Sequence, residues 1–286
     1  MVSNTLITKT TNSECVNHLK NNSVCSSPLL INDIKRYIVK IDNTDPIEII
    51  ERAKKLLNCD SESCILTKPE LTKYIQHNTI QFELDTRFKA NGPRDSVKLL
   101  NNINIDGTLL IWGREFKHFY PCPFAMIDFD TNGNKLGYIN LANLVTGKEF
   151  YIDPIYGIQY GPFDIFACVL NTDISTGKGK HWICIVADMR ELNWTIEFFN
   201  SSGNLPVTII TEWMEKQRKN LLPYNANVET VIASNITHQT DNHSCGSYVL
   251  YYIRARLDKI PYTYFATNRI KDEDAVEFRT HLFRKH

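Results

Sequence analysis

Two apolar runs, residues 181–187 and 194–199, flank a short polar stretch, and both are dense in β-branched and aromatic side chains. Such runs predict paired strands. Pairing residue 188 with residue 193 leaves a four-residue connection, a common hairpin length. That register sets His181 opposite Asn200. One face then carries His181, Ile183, Ile185 and Ala187 against Trp194, Ile196, Phe198 and Asn200. A slip of one residue would turn this set to the other side of the sheet. The pattern therefore predicts an apolar face with an imidazole and an amide touching at its open end.

A histidine acting as a base needs one ring nitrogen toward its partner and the other held by an acceptor. The side-chain oxygen of Asn200 can hold it. The nearby carboxylates fit less well: Asp188 stands roughly 20 Å away at the usual strand rise, and Glu197 points to the opposite face. A thiol comes next. Ser244 can cap a helix whose apolar face is Tyr248, Leu250, Tyr252, Ile253 and Leu257, which puts Cys245 in its first turn. Unpaired N–H groups and the positive end of the helix dipole are expected there to lower the thiol pKa. Gly246 is expected to let a substrate backbone approach. Gln239, six residues before the cysteine, is neutral and carries two donors for a developing oxyanion. Taken singly, a strand-end histidine is ordinarily structural and a first-turn cysteine a small buried hydrophobe. Cys168 and Cys184, inside apolar runs, fit that bland reading. The company that His181 and Cys245 keep points instead to acyl transfer through cysteine.

Composition narrows the setting. The chain has 286 residues, 43% hydrophobic and 22% charged, with a formal net charge of zero. Nothing global points to nucleic acid or a membrane surface. The basic run Lys216, Arg218, Lys219 reads as a solvated helix face. Eight cysteines include no C-x-x-C, and Cys59 and Cys64 have no nearby histidines, so no metal site is expected. The first twenty residues lack the apolar segment of a signal peptide, and no stretch is long enough to span a bilayer. These features predict a reducing, cytosol-like compartment and no disulfide framework.

Along the chain, residues 1–93 read as helices. Ser27-Pro28 and Asp45-Pro46 are openings of the cap-then-proline kind. Ile31, Ile34, Ile38 and Ile41 follow the first, and Ile49, Ile50, Ala53, Leu56 and Leu57 the second. A shorter helix is expected over residues 68–76, and Asn91-Gly92-Pro93 marks the boundary. Beyond it, strands are expected at 163–170, 181–187, 194–199 and 230–237. Helices are expected at 211–222, 244–257 and 272–283, and short strands with loops at 120–161. Gly177-Lys178-Gly179-Lys180 lacks the spacing of a phosphate loop and reads as a mobile loop delivering His181.

The order His181-Trp182, Asn200-Ser201, Gln239, Cys245-Gly246 resembles the clan of ubiquitin-like-protein-specific and adenovirus-type cysteine proteases. That clan usually has Asp or Glu where this chain has Asn200. The asparagine, together with segments 59–64, 87–90, 92–94, 170–182, 251–258 and 278–284, is similar to a narrower family, the polyprotein-processing cysteine proteases of African swine fever virus and relatives. The resemblance implies an α+β fold: a ubiquitin-like-protease-type core, residues 94–286, with a central mixed sheet flanked by helices, after an all-helical arm domain, residues 1–93. It implies catalysis by His181, Asn200 and Cys245 with Gln239 as oxyanion donor. It implies cleavage after Gly-Gly in viral structural polyproteins, for virion maturation, at assembly sites in the host cytoplasm and in the virion. Family members clamp the substrate glycines between aromatic walls; Trp182 matches one, and the other falls near Ile103. No cofactor, metal, nucleic acid or membrane insertion is implied, and a monomer is expected. Three rival readings differ in function: removal of SUMO or ubiquitin from host conjugates, acetylation of a partner from acetyl-CoA, and a catalytically silent binding or scaffold protein.

Overall fold

The computed structural model describes residues 14–16, 19, 23–93, 95 and 97–284. The chain divides into two compact units. One contains Val97–Phe278; the other joins the described residues between Ile7 and Ser96 with those from Arg279 onward. This partition differs from a core of 94–286 at the C-terminal end. There Arg284 N–H donates to the Ala90 carbonyl at 3.0 Å and Phe283 bridges Ala90, so the tail is built into the helical unit. Residues 1–13 of the expected arm domain and residues 285–286 of the expected core lie outside the described residues.

In the helical unit both cap-then-proline openings start helices. Ser27 Oγ accepts from Leu30 N–H ahead of α1 (Pro28–Ile34), which continues as a π-turn over Lys35–Val39. Asp45 accepts from Ile47 N–H ahead of α2 (Pro46–Leu57). Short helices α3 (Glu62–Leu66) and α4 (Pro69–Thr72) follow, then α5 (His77–Arg87). The helix expected over 68–76 is a single turn, and α5 is new. Ile31, Ile34, Ile49, Ile50, Ala53, Ile65, Leu66, Leu71, Ile80, Leu84 and Phe88 form the core of this unit. Two disulfides lie in it, Cys15–Cys25 and Cys59–Cys64, with Cα atoms 5.1 and 5.6 Å apart. The expectation of no disulfide framework is thus corrected. Spacing argued only against zinc, and only the folded chain brings these thiols to bonding geometry.

The other unit begins with α6 (Asn102–Glu115), opened by a reciprocal capping pair between Asn101 and Asn104. A mixed five-stranded sheet follows, in the order β1-β4-β5-β6-β7. Its strands are β1 (Phe119–Met126), β4 (Ile165–Asn171), β5 (Trp182–Asp188), β6 (Trp194–Phe199) and β7 (Val228–Ile232). The outer pairs are parallel and the two inner pairs antiparallel. Between β1 and β4 the chain makes α7 (Lys135–Tyr138), α8 (Leu141–Val145) and a two-stranded ribbon, β2 (Tyr151–Ile152) with β3 (Gln159–Tyr160). Helix α9 (Thr208–Leu221) joins β6 to β7, and α10 (Cys245–Leu257), α11 (Thr263–Thr267) and α12 (Asp272–Thr280) close the order.

Side chains alternate between the two faces of the sheet, and both faces are buried over β4 and β5. Phe166, Cys168, Leu170, Ile183, Ile185, Ala187, Ile196 and Phe198 pack with Trp213 and Met214 of α9 and with Leu136, Leu141 and Leu144. The other face meets α10. Phe199 stacks on Tyr252 with centroids 4.4 Å apart, and its ring lies 5.8 Å from that of Phe265. Glu197, fully buried, accepts from the Tyr252 hydroxyl and from Arg256 Nε at 2.8 Å, and Arg256 also reaches Asp188 at 2.6 Å. This is the opposite face that the hairpin pattern assigned to Glu197.

The hairpin register is shifted by two residues. Cys184 pairs with Phe199, Ile185 with Phe198 and Asp188 with Thr195. A shift of two leaves every side chain on its expected face, so the apolar set survives intact.

Candidate active site

His181 directly precedes β5 and Asn200 directly follows β6, so both stand at one end of the same antiparallel pair. Despite the shifted register they touch: His181 Nε2 lies 2.8 Å from Asn200 Oδ1. Diagonal neighbours across a pair remain within reach of long side chains. The Asn200 amide is oriented by its other partners. Its Nδ2 donates to the Asn204 carbonyl at 3.2 Å, and its Oδ1 accepts from Ser202 N–H at 3.0 Å and Ser202 Oγ at 2.8 Å. An oxygen therefore faces the imidazole, which makes Nε2 the protonated nitrogen. Nδ1 is left as the basic nitrogen.

Cys245 opens α10, as the sequence pattern predicts, but Ser244 does not cap it with its side chain. The Ser244 hydroxyl donates to Asp241 instead. The thiol is 4% exposed. Burial pushes the Cys245 pKa up and outweighs the backbone N–H groups of Trp182 and Gly246, whose dipoles favour the thiolate. The expectation of a lowered thiol pKa is corrected for this reason: loss of solvent opposes charge more strongly than the helix-start donors support it. Trp182 and Cys245 line one cleft, so the thiol and the residue next to His181 meet across 63 residues of sequence. Cys168 and Cys184 are fully buried with pKa values pushed up by burial, as expected of inert thiols.

Gln239 is held at both ends of its amide. Its Oε1 accepts from the Ser201 hydroxyl at 2.8 Å, and its backbone N–H donates to the Ser201 carbonyl at 2.9 Å. Its Nε2 donates to the Asp241 carbonyl at 3.1 Å and to Asp241 Oδ1 at 3.0 Å. Sequence reasoning assigns no such holding role to Ser201 or Asp241. Their positions beside Asn200 and two residues after Gln239 are the available signal.

A cleft of about 390 Å³ lies over the thiol. Leu99, Leu100, Asn101, Asn102, Phe124, Met126 and the 175–180 loop line it with Trp182 and Cys245. Two expectations change here. Ile103 is 69% exposed and is not part of the wall; Phe124 faces Trp182 instead, edge to face with centroids 6.2 Å apart. Phe124 sits at a register break in β1, where Asp106 Oδ1 accepts its N–H at 2.9 Å. Burial pushes the Asp106 carboxyl up to about 6, against that hydrogen bond. Gly246 does not present open space to a substrate. A Cβ there would stand 2.9 Å from Leu100 Cβ, so the missing side chain makes room for Leu100. The Leu100 carbonyl in turn accepts from the Trp182 indole N–H at 2.8 Å.

The 174–179 segment is tied down rather than loose. Asp173 accepts from Ile174 N–H at 3.1 Å, Gly179 N–H at 3.2 Å and Lys180 Nζ at 2.9 Å. Asp128 accepts from Ser175 N–H at 3.0 Å and Ser175 Oγ at 2.7 Å. Those two carboxylates, one directly before the segment and one 47 residues from Ser175, replace the expected mobile loop with an ordered cleft wall.

Residues 163–286 match the Ulp1 protease family, C-terminal catalytic domain. The chain is 42% identical over 274 residues to a cysteine protease of African swine fever virus, isolate Malawi, covering 95% of each chain. It is 42% identical over 275 residues to a SUMO-1 cysteine protease of the Pretoriuskop isolate of the same virus, again covering 95% of each. The crystal structure of an African swine fever virus protease superposes with a TM-score of 0.84 at 40% identity, covering 97% of both chains. Likeness of this degree over almost the whole length, in sequence and in fold, shows that the chain belongs to the cysteine protease family of the African swine fever virus enzyme.

Proposed function

We propose that this protease is a viral endopeptidase that cleaves structural polyproteins after Gly-Gly, for virion maturation, at assembly sites in the host cytoplasm and in the particle. The observation that carries the mechanism is the fixed His181–Asn200 pair, whose geometry leaves Nδ1 as the base directly before Trp182, a residue that lines one cleft with Cys245. Cys245 gives its proton to His181 Nδ1, and the sulfur attacks the glycyl carbonyl. Gln239 and N–H groups at the start of α10 receive the oxyanion. As the tetrahedral intermediate collapses, the C–N bond breaks and the imidazolium protonates the leaving amine. Water, deprotonated by His181, then hydrolyses the thioester.

Specificity for small residues is read from the cleft wall, where Trp182 and Phe124 pack edge to face and line, with Cys245, the space a substrate would enter. The twelve glycines of this chain are all isolated, so it offers itself no Gly-Gly site.

The test is to incubate the full chain and its Cys245→Ser and Cys184→Ser variants with a Gly-Gly-X peptide library and with the viral polyproteins. Cleavage after Gly-Gly by wild type and Cys184→Ser, and none by a folded Cys245→Ser, is the expected result. Activity in a folded Cys245→Ser chain would remove the nucleophile from this scheme. The name SUMO-1 cysteine protease carried by relatives favours a second reading, deconjugation of host proteins. Rapid cleavage of SUMO or ubiquitin conjugates with none of the polyproteins would decide for it.

A further inference from the structure

One carboxylate serves both the amide that takes the oxyanion and the turn that carries the thiol. Asp241 lies two residues after Gln239 and four before Cys245. Its Oδ1 accepts from Gln239 Nε2 at 3.0 Å, from His243 N–H at 3.0 Å and from Ser244 N–H at 2.9 Å. Its Oδ2 accepts from the Ser244 hydroxyl and lies 3.4 Å from His243 Nε2. Its backbone carbonyl takes the other Gln239 N–H at 3.1 Å. The far side of the Gln239 amide is held by the Ser201 hydroxyl. A glutamine side chain has several rotatable bonds and is otherwise free to leave a reactive geometry.

We propose that Asp241 is a positioning residue, whose carboxylate holds the Gln239 amide and the Cys245 helix start in one fixed relation and yields a Gln239 N–H to the oxyanion as that charge forms. The inference rests on the reading of Gln239 as the oxyanion donor. The exchange is feasible because the Asp241 charge is shared. Burial pushes its carboxyl up, but the Ser244 hydroxyl, the Ser244 and His243 N–H groups and Gln239 together hold it below the usual range. Those other donors remain when one Gln239 N–H turns to the new anion.

The test is a double-mutant cycle on the full chain, read as kcat and KM with a Gly-Gly-X peptide. Asp241→Ala is expected to lower kcat about 10- to 100-fold, no more than the loss of an oxyanion donor itself, with KM changed less than about twofold. Gln239→Ala should lose at least as much. The double variant should be no more than about threefold slower than Gln239→Ala, because one acts through the other. Asp241→Asn keeps an oxygen for the same three N–H groups and should recover kcat to within about fivefold of wild type. Near-unfolded variants are screened out by near-UV circular dichroism. If Asp241→Ala does not fold, Asp241→Ser replaces it: its hydroxyl can accept from Ser244 N–H but is too short to keep Gln239, and the same losses are expected. Multiplying losses in the double variant, or an Asn variant as slow as Ala, would overturn the proposal. If Gln239→Ala is slow while Asp241→Ala matches wild type, this inference alone fails. If Gln239→Ala matches wild type, the oxyanion reading fails and takes the inference with it.

Discussion

At Asn200 an amide occupies a place where a carboxylate would do related work. Its oxygen orients His181 but adds no charge to stabilise the imidazolium. Asn200→Asp should keep activity within about tenfold and move the acid limb of the pH–rate profile to higher pH, because a carboxylate favours the protonated ring. Asn200→Ala should lose about 100-fold or more, since both tautomer and ring orientation are released. Equal rates for wild type and Asn200→Ala would exclude the residue from the site. A second histidine, beside Gln239, has a different task. His238 is fully buried, its Nδ1 accepting from Ile270 N–H at 3.0 Å and its Nε2 donating to Ser234 Oγ at 2.8 Å. Burial, with the nearby Arg269 charge, pushes its pKa down to about 4. The unfolded chain binds this proton more readily, near pH 6.5. The contribution to stability is therefore full above about pH 6.5 and is lost as pH falls toward 4, on the order of 2 kcal/mol. Thermal melts across that window should show the fall, and His238→Gln should flatten it.

At the scale of elements, the site depends on how strands and helices meet. Strand β5 lies between β4 and β6, pairing Trp182 with Asn171 on one side and Cys184 with Phe199 on the other. Those two ladders fix where His181 emerges. Helix α10 crosses the same sheet and is locked to it by Glu197, Asp188 and Arg256. Its first turn must also accommodate Leu100, from the segment before α6. Gly246→Ala puts a methyl carbon 2.9 Å from Leu100 Cβ, closer than real contacts allow. Leu100 must then shift, and with it the carbonyl that holds the Trp182 indole. The expected result is a loss of about 1–3 kcal/mol of stability and a raised KM for Gly-Gly-X peptides, while the Cys245 thiol still alkylates. Unchanged kinetics would show that the Leu100 wall adjusts without cost to the cleft.

At the scale of the molecule, the proposed catalytic residues and the disulfides belong to different compact units. His181, Asn200, Gln239 and Cys245 fall within 97–278; Cys15, Cys25, Cys59 and Cys64 fall outside it. The bridges close short loops, with sequence separations of 10 and 5. Loops of this size are worth about 2–3 kcal/mol each in the chain-entropy account. Thiol reductants should therefore accelerate hydrogen exchange in α1–α5 while leaving β4–β6 protected, and peptide turnover should survive. Equal loss of protection in β4–β6 would show that the two units unfold together.

Local chemistry determined much of this protein. The alternation in 181–187 and 194–199 determined the two faces of the hairpin, because a strand's side chains alternate whatever its neighbours do. Ser27-Pro28 and Asp45-Pro46 determined two helix starts, because a cap and a fixed φ act within one turn. The weakly patterned α5 and the glycine-containing α6 left little periodicity to read, and both depend on packing. The pairing of His181 with Asn200 was legible because it follows from faces, and it survived a two-residue shift for the same reason. The register itself was decided by the whole sheet, since β5 must satisfy ladders on both edges at once. Tertiary structure alone decided that Phe124 faces Trp182, that Leu100 fills the space at Gly246 and that four cysteines pair. It also decided that the Cys245 thiol is raised rather than lowered. Each of these depends on groups distant in sequence that exclude water from one another, and burial of that kind has no signature in a local run of residues.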